Sequence, residues 1–214
     1  MVDEPYKKRI NGIKRKMMYS YNQTSYMVNQ KRISELLVTP RLEFKHKQSN
    51  TTKGLYDLIY KYVNPTDVVV ELGSFAGVSS ELFALHCDKL YCVDKWEPYW
   101  EISQREYMNI AEQRFDSMAN MYKNVVKVKS DTIDAVSQFE DESIDLIYID
   151  SDHASERVKK EIDAWLPKIK SNGFIAGHDI NMPTVYNVVT RYFDPTMIEL
   201  FNDTSWITRK YNTI

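Results

Sequence analysis

The sequence predicts an α/β fold in which a doubly wound, mostly parallel sheet carries helices on both faces and ends in a C-terminal antiparallel hairpin. Three observations predict it. Short apolar runs alternate with helical patterns five times along the chain, and that alternation builds a parallel sheet through right-handed crossovers. Polar residues, mostly acids, stand at the ends of those runs, at Glu71, Asp94, Asp131, Asp150 and the pair His178 and Asp179; ligands of an open parallel sheet bind beyond the carboxyl ends of its strands. A turn framed by Gly73 and Gly77 follows the first strand.

Residues 1–48 are rich in Lys, Arg, Asn, Gln, Tyr and Met, and only Ile33 to Val38 reads as a short helix, stopped by Pro40. One reading is an extension that packs its aromatic and Met side chains on the folded domain. The other is a lid or an oligomer contact, because Met17, Met18, Tyr19, Tyr21, Tyr26 and Met27 supply more apolar surface than a tail needs. The folded domain is expected over residues 49–214. Leu55, Leu58, Ile59 and Val63 share one face of a helix over Thr51 to Val63. Val68, Val69 and Val70 form a β-branched run suited to a strand buried on both faces, ending at Glu71.

The glycine turn leads into a helix near Val78, read as far as Cys87, and strand two spans Leu90 to Val93. An aromatic and charged connection from Trp96 precedes a helix with Ile110, Phe115, Met118 and Met121 on it. Strand three is Val125 to Lys129, with a short helix over Ile133 to Phe139; strand four is Ile144 to Ile149. A charged amphipathic helix covers Glu156 to Lys168, closed by Asn172 and Gly173 as helix stops. Strand five is Phe174 to Ala176, and a helix covers Val185 to Phe193. Thr196 to Phe201 and Ser205 to Lys210 form the hairpin.

With 214 residues, of which 43% are hydrophobic, the chain can bury the core of one domain. A formal net charge of −2 gives no global case for nucleic acid or an anionic membrane. Residues 1–50 nevertheless hold eleven Lys and Arg against four acids, a basic arm on an acidic body. Cys87 and Cys92 have neither disulfide-framework nor zinc spacing and suit a reducing compartment. No apolar run reaches the length of a membrane span and no signal-peptide core opens the chain, so a cytoplasmic location is expected.

Gly73 and Gly77 let backbone N–H groups face a ligand with no Cβ in the way. Their spacing differs from the dinucleotide Gly-x-Gly-x-x-Gly. Asp94 stands about 20 residues further on, where a carboxylate can accept ribose hydroxyls.

Glu71-x-Gly73-x-x-x-Gly77, followed by Asp94, resembles the first motifs of class I S-adenosyl-L-methionine (SAM) dependent methyltransferases, a Rossmann-like fold. The stretch Ile-Asp-Leu-Ile-Tyr-Ile-Asp-Ser-Asp-His ending at His153, the helix with Glu161 and Trp165, and Asn-Gly-Phe-Ile-Ala-Gly-His-Asp-Ile ending at Ile180 are similar to the methyltransferase-24 type, relatives of catechol and sugar O-methyltransferases. The resemblance implies a SAM cofactor. Glu71 would lie near its methionine amine, Gly73, Ser74 and Gly77 along the turn, and Asp94 on the ribose. Lys95 or Trp96 would cover the adenosyl part, with Asp131 and Thr132 near the adenine amine. In the wider relatives a divalent cation, Mg²⁺, is held after strands four and five, which maps to Asp150, His178 and Asp179; His178 departs from their oxygen donors. His153, three residues after Asp150, stands where catechol-type enzymes keep a catalytic Lys, and with Asp150 is the candidate catalytic pair. An imidazole can take the acceptor's proton near neutral pH.

The leading expectation is methylation of a small-molecule acceptor, a sugar or phenolic metabolite, on oxygen. The other readings are a nicotinamide dehydrogenase, a methyltransferase-like binding module without turnover, and an RNA or other nucleic-acid methyltransferase using the basic arm. A homo-oligomer is compatible with each.

Overall fold

The computed structural model describes residues 23–38, 52–98 and 105–212. The chain divides into two compact units, Met1–Thr39 and Pro40–Ile214. In the first, helix α1 (Gln23–Val38) begins ten residues before the expected Ile33. Its first half lacks apolar periodicity and is mostly Thr, Ser, Tyr, Val and Asn, residues of middling helix propensity, so neither pattern nor propensity marks it. Met17, Met18, Tyr19, Tyr21 and Pro40 lie outside the described residues, as do the side chains of Tyr26 and Met27 and all but the α1 part of the basic arm.

The second unit is built on seven strands: β1 (Val68–Leu72), β2 (Lys89–Asp94), β3 (Val125–Lys129), β4 (Ile144–Ile149), β5 (Ile169–Gly177), β6 (Glu199–Leu200) and β7 (Trp206–Arg209), in the order β3-β2-β1-β4-β5-β7-β6. The first five are parallel, and β7 runs antiparallel to both β5 and β6. The chain therefore winds outward from β1 to β3, returns beside β1 with β4, and leaves the carboxyl ends of β1 and β4 as the switch point where ligands bind.

Among the described residues, five further α-helices cover the sheet: α2 (Thr52–Tyr62), α3 (Val78–Ala84), α4 (Arg105–Ala119), α5 (Ser155–Trp165) and α6 (Pro183–Tyr192). Successive strand residues point to opposite faces. Val70, Leu72, Ile147, Ile149 and Ile175 meet Val158, Ile162 and Trp165 of α5 and Val185, Val188 and Val189 of α6 in one buried cluster. On the other face Tyr148 packs against Phe83 of α3, ring centroids 5.3 Å apart. Met108, Ala111, Phe115 and Met118 form the buried stripe of α4. Met121 falls beyond that helix and is exposed.

The elements depart from expectation in identifiable places. Asn172 and Gly173 do not stop α5; they lie inside β5, which starts at Ile169 after a 3₁₀ turn at Leu166–Lys168. Gly173 serves close packing there, since a Cβ would lie 2.5 Å from Ile169 Cγ2 and 2.8 Å from the Asp145 carbonyl oxygen, at the point where the β4–β5 register shifts. The helix after β3 is a 3₁₀ turn, Asp134–Gln138. The first hairpin arm shrinks to two residues because the Asp194 carboxylate accepts the Thr196 N–H at 2.9 Å and holds Pro195–Met197 in a turn.

Asp203, in the hairpin turn, ties the ends of the unit together. Its carboxylate accepts the Leu55 N–H of the first turn of α2 at 2.6 Å and the Ser205 N–H at 3.0 Å, a long-range counterpart of an N-cap. Asp203→Ala leaves that buried N–H unpaired and is expected to cost about 1–3 kcal/mol. Urea denaturation checks this; a change below about 0.5 kcal/mol would show that the link is dispensable.

Candidate active site at the carboxyl edge of the sheet

Each strand end feeds the site through a backbone hydrogen bond to the next. Gly73 N–H donates to Val93, Asp150 N–H to Leu72, Ser130 N–H to Asp94 and His178 N–H to Ile149. The polar residues that follow β1, β2, β3, β4 and β5 are therefore gathered on one rim. Within it lies a small cleft open to solvent. Gly73, Asp94, Lys95, Asp131 and Thr132 line it, together with Ser130, Ser151, Asp152 and Arg157, the last of which no sequence motif marks.

Gly73 adopts φ +91° and Gly77 φ +83°. Their missing Cβ atoms clear protein: at Gly73 a Cβ would stand 2.2 Å from the Asp150 carbonyl oxygen, and at Gly77 2.8 Å from Met118 Cε. The glycines thus let the turn fold down onto β4 and α4. Beneath the turn Glu71 is fully buried and accepts a hydrogen bond from Ser80 Oγ. Burial pushes its carboxyl above the usual range, opposed by the hydroxyls of Ser79, Ser80 and Ser74. Glu71 Oε1 and Ser74 Oγ make no hydrogen bond of good geometry among the described residues, although the Ser74 hydroxyl lies near enough to Glu71 to favour its carboxylate.

Asp94 is almost completely buried at the cleft wall. Its oxygens accept the N–H groups of Phe75 at 2.9 Å and Trp96 at 2.7 Å. Burial raises its carboxyl, and those two amides oppose the rise. Trp96 turns inward instead of covering the cleft. Its ring is buried, with Phe115 at 4.7 Å and Lys127 Nζ over the ring at 4.7 Å, and its Nε1 donates to the Phe75 carbonyl at 2.7 Å. It braces the turn, because an indole whose N–H finds a partner in the core gains more from burial than from exposure.

At the β3 end, Asp131 Oδ1 accepts the Ile133 N–H at 2.9 Å and Arg157 Nη2 at 2.8 Å. Arg157 leaves its carboxyl below the ordinary value despite partial burial. Thr132 Oγ1 donates to Glu161, which also accepts from Ser151 Oγ at 2.6 Å and Arg157 Nε at 3.2 Å. Glu161 is fully buried, and burial raises its carboxyl. The signal for this network was present: an acid at position 161 sits three residues after Val158 and four before Trp165, on the apolar face of α5.

Beyond Gly73, the loops after β4 and β5 bring together Asp150, His153 and Asp179, whose ligand atoms lie within 4.8 Å of one another. His153 Nε2 is 2.8 Å from Asp179 Oδ2 and 3.8 Å from Asp150 Oδ1. The two carboxylates raise the imidazole to about 10. His178 is set back: its Nδ1 is 3.2 Å from Asp179 Oδ2 and 4.0 Å from Asp150 Oδ1, while Nε2 faces Thr204 Oγ1 at 3.4 Å. The convergent donor set is therefore Asp150, His153 and Asp179, and His178 supports Asp179, which is held at φ +56°. Both histidines draw the Asp179 carboxyl well below its usual range against the effect of burial.

Away from the cleft, Cys87 and Cys92 are buried free thiols. Burial pushes Cys87 up to about 12, which suits an apolar filler rather than a nucleophile. Among the described residues no helix is long and apolar enough to cross a membrane.

Comparison with known proteins places this architecture. Three methyltransferases are among the solved structures that share the fold. The N-methyltransferase NodS from Bradyrhizobium japonicum in complex with S-adenosyl-L-homocysteine is 15% identical with a TM-score of 0.54, over 86% of this chain and 96% of that one. A precorrin-6y C5,15-methyltransferase from Geobacter metallireducens is 15% identical with a TM-score of 0.55, over 79% and 90%. A SAM-dependent O-methyltransferase from Thermotoga maritima is 16% identical with a TM-score of 0.52, over 73% of this chain and 55% of that one. No curated protein matches the sequence. Residues 70–180 match the sequence model of the methyltransferase-24 family, a methyltransferase domain. That span is more than half of the chain and runs from the strand before the glycine turn to the residue after Asp179, so the protein belongs to this family and is a SAM-dependent methyltransferase.

Proposed function

We propose that the enzyme methylates an oxygen of a small molecule, a sugar or phenolic metabolite, with His153 as the group that takes the acceptor's proton. The observation that carries this reading is the convergence of Asp150, His153 and Asp179 beside the Gly73 turn. The three side chains are recessed, none more than about a third exposed, which suits a compact acceptor. Asp150, Asp152 and Asp179 crowd the same rim, and carboxylates there would repel a phosphate backbone.

The cleft residues fit the methyl donor. Glu71 Oε1 and Ser74 Oγ, the unpartnered buried atoms beneath the turn, suit its amino group directly or through water. Asp94 keeps acceptor capacity for ribose hydroxyls, Lys95 lines the same wall, and Asp131 with Thr132 forms the adenine end. SAM brings an already activated methyl group, so the chain's work is alignment and proton removal. In the arrangement described, His153 is an imidazolium. An acceptor hydroxyl that takes over the Asp150 and Asp179 contacts returns the imidazole toward its ordinary value of roughly 6.5, so that it releases its proton to solvent and, once neutral, can accept the acceptor's proton. With His153 neutral, Asp150, His153 and Asp179 also fit a divalent cation; Mg²⁺ bound there would supply Lewis-acid activation of the acceptor hydroxyl.

We also read residues 1–48 as an extension on a methyltransferase domain of residues 49–214, acting in the cytoplasm, with the lid and oligomer roles of the extension as alternatives. The test is methyl transfer from labelled SAM to a panel of sugars and phenols, with Mg²⁺ and with chelator. An O-methylated product is expected. Transfer confined to amines or RNA would overturn the reading, and full activity in chelator would remove the cation from it.

A further inference from the structure

We propose that Arg157 and Asp131 together read the adenine edge of the methyl donor, making Arg157 a specificity-determining residue of the cofactor site. The inference rests on the placement of SAM in the cleft and goes beyond it, to a residue that no motif singles out. Arg157 Nη2 donates to Asp131 Oδ1 at 2.8 Å and also to Thr132 Oγ1, and Nε donates to Glu161 at 3.2 Å. Three fixed partners, one of them the fully buried Glu161, hold the guanidinium plane on α5. Asp131 Oδ1 is occupied in the same way, by Arg157 and by the Ile133 N–H.

What remains is a complementary pair. Arg157 Nη1 and Asp131 Oδ2 make no hydrogen bond among the described residues, and both residues line the cleft. The wall thus offers a charged donor next to a charged acceptor. Adenine presents the matching edge, a 6-amino donor beside a ring-nitrogen acceptor, whereas hypoxanthine replaces the amino group with a carbonyl oxygen that faces the carboxylate unfavourably. A site whose polar groups are left unpaired by the wrong base rejects it strongly.

The experiment is calorimetric titration with S-adenosylhomocysteine and S-inosylhomocysteine, on the full chain and on Arg157→Met, Arg157→Lys and Asp131→Asn, with thermal unfolding to establish that each variant folds. The unaltered protein is expected to prefer the adenosyl compound by at least about tenfold, the order of one well-formed pair of hydrogen bonds. Arg157→Met and Asp131→Asn should each lower that ratio at least about fivefold; Arg157→Lys should lower it too, because an ammonium cannot reproduce the fork. A purely structural role would weaken both compounds equally and leave the ratio unchanged, and that result overturns the inference. If neither compound binds the unaltered protein, the methyl-donor placement itself fails; if the adenosyl compound binds and the ratio survives all three substitutions, only the role of Arg157 falls.

Discussion

His153→Gln is expected to lower kcat by about 10²–10⁴-fold, the usual contribution of a positioned base, while leaving the affinity for S-adenosylhomocysteine within about twofold. Glutamine retains polar contact with Asp150 and Asp179 but cannot accept the proton. The pH dependence makes the test specific. In the free enzyme the imidazole is held near 10 by the neighbouring carboxylates of Asp150 and Asp179, so kcat/KM, which reports free-enzyme groups, should climb with pH from neutrality toward about 10. The profile of kcat should level off at lower pH, because the acceptor competes for the two carboxylates. His153→Gln should abolish the climb, and Asp179→Asn should move it to lower pH.

The same cluster sets a stability window. A histidine whose folded value exceeds its unfolded value of roughly 6.5 stabilises fully below that value and loses its effect as pH rises through about 10. Asp179, held low by the histidines, contributes above the unfolded carboxylate value of roughly 4 and loses its contribution as pH falls below it. The cluster is therefore most stabilising between about pH 4 and 6.5. A flat kcat/KM from pH 7 to 9 in the unaltered enzyme would remove His153 as the base.

How far such chemistry was legible in the sequence depended on whether the signal was local. The bounds of β3 and β4 follow directly from their apolar runs, and β1 overran its expected end by only one residue, Leu72. β1 and β4 are buried inside the sheet, so the composition of each run carries its own signal, whereas β3 is an edge strand with only Val128 buried and reads from its Val and Lys alternation. The start of β5 was hidden because Asn172 and Gly173 mimic a helix stop, while the packing that demands glycine there comes from Asp145 and Ile169. The strand-end carboxylates could be picked out, because chain order delivers them to one rim. Their partners could not. The Asp131–Arg157 pair spans 26 residues, and the Leu55–Asp203 link spans 148. Trp96 shows the opposite error: an aromatic beside an acid expected at the ribose suggests a cover, and the strained backbone at φ +49° instead turns it into the core.

Gly73→Ala tests the junction on which both halves of the site depend. Alanine at φ +91° would carry left-handed strain of roughly 1–2 kcal/mol. Its Cβ would also meet backbone, the Asp150 carbonyl oxygen at 2.2 Å and Ser151 Cα at 2.7 Å, and backbone displacement of this kind adds about 1–3 kcal/mol. Gly77→Ala supplies the control. It shares the strained φ of +83°, but its Cβ would meet Met118 Cε at 2.8 Å, the free end of a flexible side chain that can turn aside. The expected loss is thus about 2–5 kcal/mol at Gly73 and about 1–2 kcal/mol at Gly77, read from urea denaturation. Cofactor affinity should fall more steeply at Gly73, because relief of the clash separates the β1 turn from Asp150 and Ser151 and so opens the cleft on its acceptor side. Equal losses at the two glycines would mean that φ alone governs the turn, and that the close approach of β1 to β4 does not shape the site.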